Sequence, residues 1–143
     1  MGRVYAGWAM SHAFYREHLY KQFGVSTIED YIVQFWEANF LRRDGNDLLA
    51  QLGIWARSDI SANNTYCNDL PAALGAIRAR AIIMPGSTDL YFTSYDSKVE
   101  TDMMPNAQFR PIESNYGHRA GNPTHCKEDE GILRKAVQDL LAQ

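Results

Sequence analysis

From residue 79 onward the chain takes on a pattern that few folds accommodate. Ala81-Ile82-Ile83-Met84-Pro85 is a short apolar run entering Gly86, and its β-branched residues and Pro-Gly stop predict a buried strand. Thr93-Ser94-Tyr95-Asp96 opens a helix that ends near Met104-Pro105-Asn106, and residues 107–112 form a second strand bounded by Pro111. In the last segment Ile132, Leu133, Ala136, Val137, Leu140 and Leu141 recur at helical spacing. Strand–helix–strand–helix implies a parallel α/β layer. Two parallel strands alone leave both edges open and both faces poorly covered. The 143 residues suffice for one domain, yet this sheet is too small for the helices that precede it. Further strands are therefore expected upstream of Met1, which makes the chain the C-terminal part of a larger α/β protein rather than a self-contained helical fold.

The preceding helices are rich in aromatic residues. Residues 7–23 carry Trp8, Phe14, Tyr15, His18, Leu19 and Phe23, with Gly24 as a stop. Ser26-Thr27-Ile28-Glu29 reads as a capping box with Ser26 at the cap, and Ile28, Tyr31, Ile32, Phe35, Trp36 and Phe40 then form one apolar stripe. Tyr31, Phe35 and Trp36 are read as core, with the wall of an acyl pocket as their second use. Asp44-Gly45-Asn46 is a turn, after which Asn46 or Asp47 caps a helix bearing Leu48, Leu49, Leu52, Trp55 and Ala56 on one face. Residues 59–68 form a polar loop, and Asp69 caps a short helix through Ile77 with Pro71 in its first turn.

Charge and composition narrow the partners. A net charge of −3, with 14 scattered Lys and Arg, gives no reason to expect nucleic acid or an anionic membrane. Apolar residues at 45% and charged residues at 22% argue against long disorder. No N-terminal run is long enough for export or spanning, and Ala6 stands where myristoylation wants Ser or Thr. Cys67 and Cys126 are then read as free thiols in a reducing cytoplasm, and the sequon at Asn63-Asn64-Thr65 as chance. His118, His125, Cys126 and Cys67 match no zinc spacing, so no metal is expected, and there is no phosphate loop or dinucleotide fingerprint. His12 and His18, six apart, do not share a helix face and read as core or surface residues.

The chemistry gathers just past the two strands, where open α/β sheets hold their ligands. Asp89, in Gly86-Ser87-Thr88-Asp89-Leu90-Tyr91-Phe92, is either a turn residue or a carboxylate that orients a histidine. His118, in Ser114-Asn115-Tyr116-Gly117-His118-Arg119-Ala120-Gly121, is either a solvated loop residue or a general base. Asp then His after successive parallel strands is the chain order of a Ser…Asp…His triad. The nucleophile pattern Gly-x-Ser-x-Gly does not occur. Gly24-Val25-Ser26-Thr27-Ile28 lacks the final small residue and precedes a capping box, and Gly86-Ser87 has the wrong spacing. The serine, like the missing strands, is expected upstream of Met1.

These motifs resemble the C-terminal half of the homoserine O-acetyltransferase-like branch of the α/β-hydrolase superfamily. Asp44-Gly45-Asn46-Asp47-Leu48-Leu49 through Trp55, with Asp59-Ile60-Ser61, looks like the helical lid. Asp69-Leu70 with Ala73-Leu74-Gly75-Ala76-Ile77 looks like the helix leading into the next strand. Thr88-Asp89-Leu90-Tyr91-Phe92 is similar to the segment bearing the triad acid, and Ser114-Asn115-Tyr116-Gly117-His118 to that bearing the triad base. The resemblance covers nearly all of the chain but only the last part of a whole member. It implies residues 1–78 as lid and linking helix, and residues 79–143 as the core's last strand–helix–strand–helix. It further implies ping-pong acyl transfer, with Asp89 and His118 as acid and base and the serine absent, so that the chain alone is inactive. Acetyl-CoA or another acyl donor and an acceptor hydroxyl would be the small-molecule partners, and no bound cofactor is implied. Arg119 stands where the homoserine enzymes carry an acidic residue, which leaves an ester or amide hydrolase on the same scaffold as the alternative. A non-enzymatic protein that dimerises or docks a partner through exposed apolar faces is the third reading.

Overall fold

The computed structural model describes residues 1–122, 124 and 126–142. The chain begins with α1 (Gly2–Ala9) and α2 (His12–Arg16), the latter capped by the Ser11 hydroxyl, which accepts from the Phe14 amide at 3.0 Å. A 3₁₀ turn (Leu19–Phe23) ends at Gly24, whose φ of 77° places it in the left-handed region.

One bent helix follows in three pieces: α3 (Ile28–Tyr31), a π turn (Ile32–Glu37) and α4 (Ala38–Leu41). Its cap is Thr27, not Ser26. Thr27 takes the extended backbone, its Oγ1 accepts from the Asp30 amide at 3.0 Å, and the hydroxyl donates to the Asp30 carboxylate at 2.7 Å. Glu29, expected to close the box, pairs instead with Arg3 of α1. The i→i+5 winding of the π turn brings Tyr31 and Trp36, five residues apart, to one buried face. Gly2 lets α1 lie against that turn, since a Cβ there would stand 2.9 Å from backbone atoms of Trp36 and Glu37.

This helical part holds the main core. Ala6, Ala9, Met10, Phe14, Tyr20, Tyr31 and Trp36 cluster with Tyr116 from the far end of the chain. The Phe14 ring lies 5.3 Å from Tyr31 and 5.5 Å from Tyr116, centroid to centroid, in the tilted and edge-on arrangements that aromatic quadrupoles favour.

The next helix, α5 (Gly45–Trp55), departs from expectation twice. Its cap is Asp44, whose carboxylate accepts from the Asn46 amide at 2.7 Å, so Asn46 and Asp47 fall inside the first turn. It buries no residue at all, and Leu49 is 67% exposed. α6 (Leu70–Gly75) starts as read, with Asp69 accepting from the Ala72 amide at 2.9 Å.

β1 (Ala81–Ile83) and β2 (Ala107–Phe109) pair in parallel, Ala81 opposite Ala107, joined by α7 (Ser94–Asp102). Thr93 caps α7 with the same Thr-x-x-Asp device seen at Thr27. The strands are shorter than predicted because Pro85 and Pro111 interrupt the ladder. Pairing resumes beyond them, with Ile112 N–H donating to Pro85 O at 2.8 Å and Ser87 N–H to Ile112 O at 2.9 Å. β1 was expected to be buried and is only half-buried, as is β2. Among the described residues they form a two-stranded sheet, each paired along one edge. The last helix, α8 (Lys127–Leu141), buries Asp129 and Ala136 and leaves Val137 and Leu141 exposed. Arg110 after β2 ties to it through Asp139 at 2.7 Å. Among the described residues no helix is long and apolar enough to cross a membrane.

Candidate functional site

Pairing of Gly86 with Ile112 carries both chain segments off the sheet side by side. Thr88 then joins them. Its Oγ1 donates to Ser114 O at 2.6 Å and accepts from Gly117 N–H at 3.2 Å. The loop after β1 and the loop after β2 are thus fixed to one another immediately before Asp89 and His118.

Asp89 uses its two oxygens differently. Oδ1 accepts from the backbone amides of Tyr91 at 2.7 Å and Phe92 at 3.2 Å, which is the turn role. Oδ2 lies 3.0 Å from His118 Nδ1, the contact that the orienting reading requires. One oxygen makes the turn bonds, and the other faces the imidazole. Its side chain is 7% exposed against 28% for His118. With Nδ1–H donating to Asp89, the ring leaves Nε2 as an acceptor with no partner among the described residues.

Gly117 sets the approach of His118. It has φ 59°, and a Cβ would stand 2.8 Å from Ser11 N and 2.9 Å from Ala9 O. The base loop therefore rests directly on the α1–α2 junction. Ser11 Oγ donates to Asn115 O at 2.5 Å, and Tyr116, buried in the helical core, donates to Gln22 Oε1 at 2.5 Å. On the other side the loop is held by Asp129. This carboxylate is only 2% exposed, and one of its oxygens accepts from Ser114 Oγ at 2.8 Å and Gly121 N–H at 2.9 Å.

His118 opens onto a cavity of about 520 Å³ lined by Tyr5, Trp36, Phe40, Leu52, Trp55, Tyr91 and Arg119 among others. That size suits a small organic molecule. Tyr91 and Phe92 flank the imidazole, at centroid distances of 5.0 and 5.4 Å. Trp36 is both buried in the core and part of this wall, while Tyr31 belongs to the core. Burial raises the Tyr5 phenol above its ordinary range and lowers the Arg119 guanidinium.

The other candidates stay apart. His12 and His18 are exposed, and His18 Nδ1 meets Tyr20 Oη at 3.0 Å. Cys67 is exposed, and burial raises the thiol of Cys126. His125 lies outside the described residues. Among the described residues no three His, Cys, Asp or Glu side chains are grouped as a metal would need. Sequence reasoning passed over Thr88 and Asp129. The only trace of the latter was the acidic first turn of α8, which any solvated helix start shares.

No protein-family model matches the chain. Over 112 residues, 78% of its length, it is 37% identical to an ethyl acetate hydrolase of Pseudomonas veronii. Over 115 residues it is 30% identical to a probable esterase of Corynebacterium glutamicum. It spans 31% and 32% of those two proteins. Among solved structures it superimposes on an acetylester hydrolase from Corynebacterium glutamicum with a TM-score of 0.92 at 26% identity. It superimposes equally well on the acetyl esterase MekB, also with a TM-score of 0.92, at 30% identity. Each superposition covers 99% of this chain and 40% of the other. The chain is thus esterase-like and corresponds to part of a longer α/β-hydrolase-type fold.

Proposed function

We propose that this chain supplies the acid and base of a serine esterase acting on small esters with short acyl chains. His118 is the general base and Asp89 the carboxylate that holds its tautomer. The observation that carries this reading is the 3.0 Å contact between Asp89 Oδ2 and His118 Nδ1, with the imidazole on a cavity. The relatives' ester chemistry favours hydrolysis over the acetyl transfer to homoserine that the resemblance implied.

The nucleophile is a serine outside these 143 residues, since no Gly-x-Ser-x-Gly occurs within them. His118 Nε2 takes the serine proton as Oγ attacks the ester carbonyl, and returns it to the departing alcohol. Water, deprotonated by the same nitrogen, then cleaves the acyl-serine to acid and free serine. Asp89 stays ionised throughout and stabilises the transient imidazolium, while its Oδ1 bonds keep the carboxylate from rotating away. The α5 helix, with its apolar side on the cavity, acts as the lid that limits water there.

A chimera in which this chain replaces the matching segment of the Pseudomonas veronii enzyme tests the reading through p-nitrophenyl acetate hydrolysis. His118→Ala is expected to abolish turnover and Asp89→Asn to lower it by about four orders of magnitude. Near-normal turnover in either folded variant sinks the assignment. Added homoserine should leave acetate release unchanged, and O-acetylhomoserine in place of acetate would restore the transferase reading.

A further inference from the structure

We propose that the cavity takes an ester whose far end carries a carboxylate, and that Arg119 is the residue that reads it. Arg119 directly follows the base and lines the same cavity. Its guanidinium lies 5.2 Å over the Phe35 ring, and its Nε is shut off from solvent with no hydrogen bond among the described residues. No carboxylate pairs with it among those residues, and no Asp or Glu lines the cavity. The ionisable groups that act on it most are Tyr31 and Tyr5, whose phenols are neutral near pH 7. A guanidinium that has given up part of its hydration without a counter-ion is costly. With Nε sealed against protein and Arg119 lining the cavity, an anion held in the cavity is placed to reach the terminal nitrogens.

A carboxylate fits this place better than a larger anion. It matches the planar fork of a single guanidinium, and the volume near His118 suits a short acyl chain rather than a polyphosphate. Arg43 also lines the cavity, but it is exposed and its Nε already donates to Asn39 Oδ1 at 3.3 Å. Arg43 therefore steers anions at the rim and Arg119 recognises them inside. The class of substrate is a half-ester of a short dicarboxylic acid. Hydrolysis adds one water across the neutral ester end and releases the alcohol and the dicarboxylate.

The inference rests on the esterase reading for the ester's position at His118, but its test needs no turnover. Monomethyl succinate and methyl levulinate, nearly the same shape and differing in charge, are titrated into the chimera, its nucleophilic serine changed to Ala so that nothing turns over, while tryptophan fluorescence is followed. The wild type is expected to bind the half-ester about tenfold more tightly, an advantage that shrinks as salt is raised from about 50 to 300 mM. Arg119→Gln should lose that advantage while keeping affinity for methyl levulinate. Arg119→Lys should keep part of it, and Arg43→Gln should keep nearly all. Equal affinities of the two esters for the wild type overturn the proposal without recourse to any variant. So does a charge preference that survives Arg119→Gln. Neither outcome touches the triad assignment, which turnover by the active chimera decides separately.

Discussion

Residues 1–41 and the segment from β1 to α8 are built on opposite terms. The first part buries Phe14 and Tyr31 completely in a cluster of aromatic rings. The second has half-buried strands and a final helix with an exposed apolar side. Yet the groups with chemistry, Asp89 and His118, both belong to the second part. The difference teaches that the element carrying a reactive group need not be the one that fixes it. Tyr116 and Gly117 lean on the helical core, and His118 takes its position from there.

The sharpest way to break this contrast is to hollow out the helical core. Phe14→Ala should cost about 3–5 kcal/mol in chemical unfolding and detach Tyr116 from its neighbour. Ile83→Ala, in a half-buried strand, should cost about half as much or less. Equal losses would show that the two parts share one core after all. Gly117→Ala comes next, at about 2–3 kcal/mol, because a left-handed residue then also strikes backbone at Ser11 and Ala9. The signature is a lost Nδ1 proton resonance of His118 in a chain whose circular dichroism is unchanged. Thr88→Val should cost about 1–2 kcal/mol, since it strands Ser114 O and Gly117 N–H together. A neutral result would place the tie between the two loops elsewhere.

The smallest effect lies between β2 and α8. Lys135 and Arg110 hold the Asp139 carboxyl below its ordinary range. A carboxyl with a depressed folded value adds stability that is complete above the unfolded value of about 4 and fades as pH falls below it. Acid melts should therefore show a slightly earlier loss of α8 in the wild type than at neutral pH, and Arg110→Gln should flatten that dependence. An unchanged pH slope in Arg110→Gln would make the pair a surface ornament.

Much of this was legible in the sequence wherever a local rule acts alone. The cap at Asp69 and the helix opening at Thr93 follow from short-range chemistry, and the strand–helix–strand order with Asp89 and His118 past successive strands follows from the hydrophobic pattern. Errors came where two groups compete. Thr27 displaced Ser26 because Glu29 had a partner in Arg3, and Asp44 reached its amide before Asn46 could. Burial of β1 was overestimated because apolar composition states what could be covered, not what is. The choice between transfer and hydrolysis was not legible, since the same Asp–His geometry serves both and only the acceptor differs. Asp129 stayed hidden because its value depends on Ser114 and Gly121 folding back onto it.

The π turn has a consequence for how such a chain can change over time. An i→i+5 turn absorbs one residue more than an α turn, so deleting one position between Ile32 and Glu37 would rewind the segment without breaking it. Everything after it would keep its facing relative to Tyr31, because the wider turn takes up the extra residue without adding to the sweep of the helix. Asn39 and Phe40 would then stay on the cavity wall, and only the turn from Ile32 to Glu37, Trp36 included, would repack beside Phe14 and Tyr31. A single codon lost there would alter one turn of the wall around Trp36 and leave the rest of the cavity, with Asp89 and His118, where it stands.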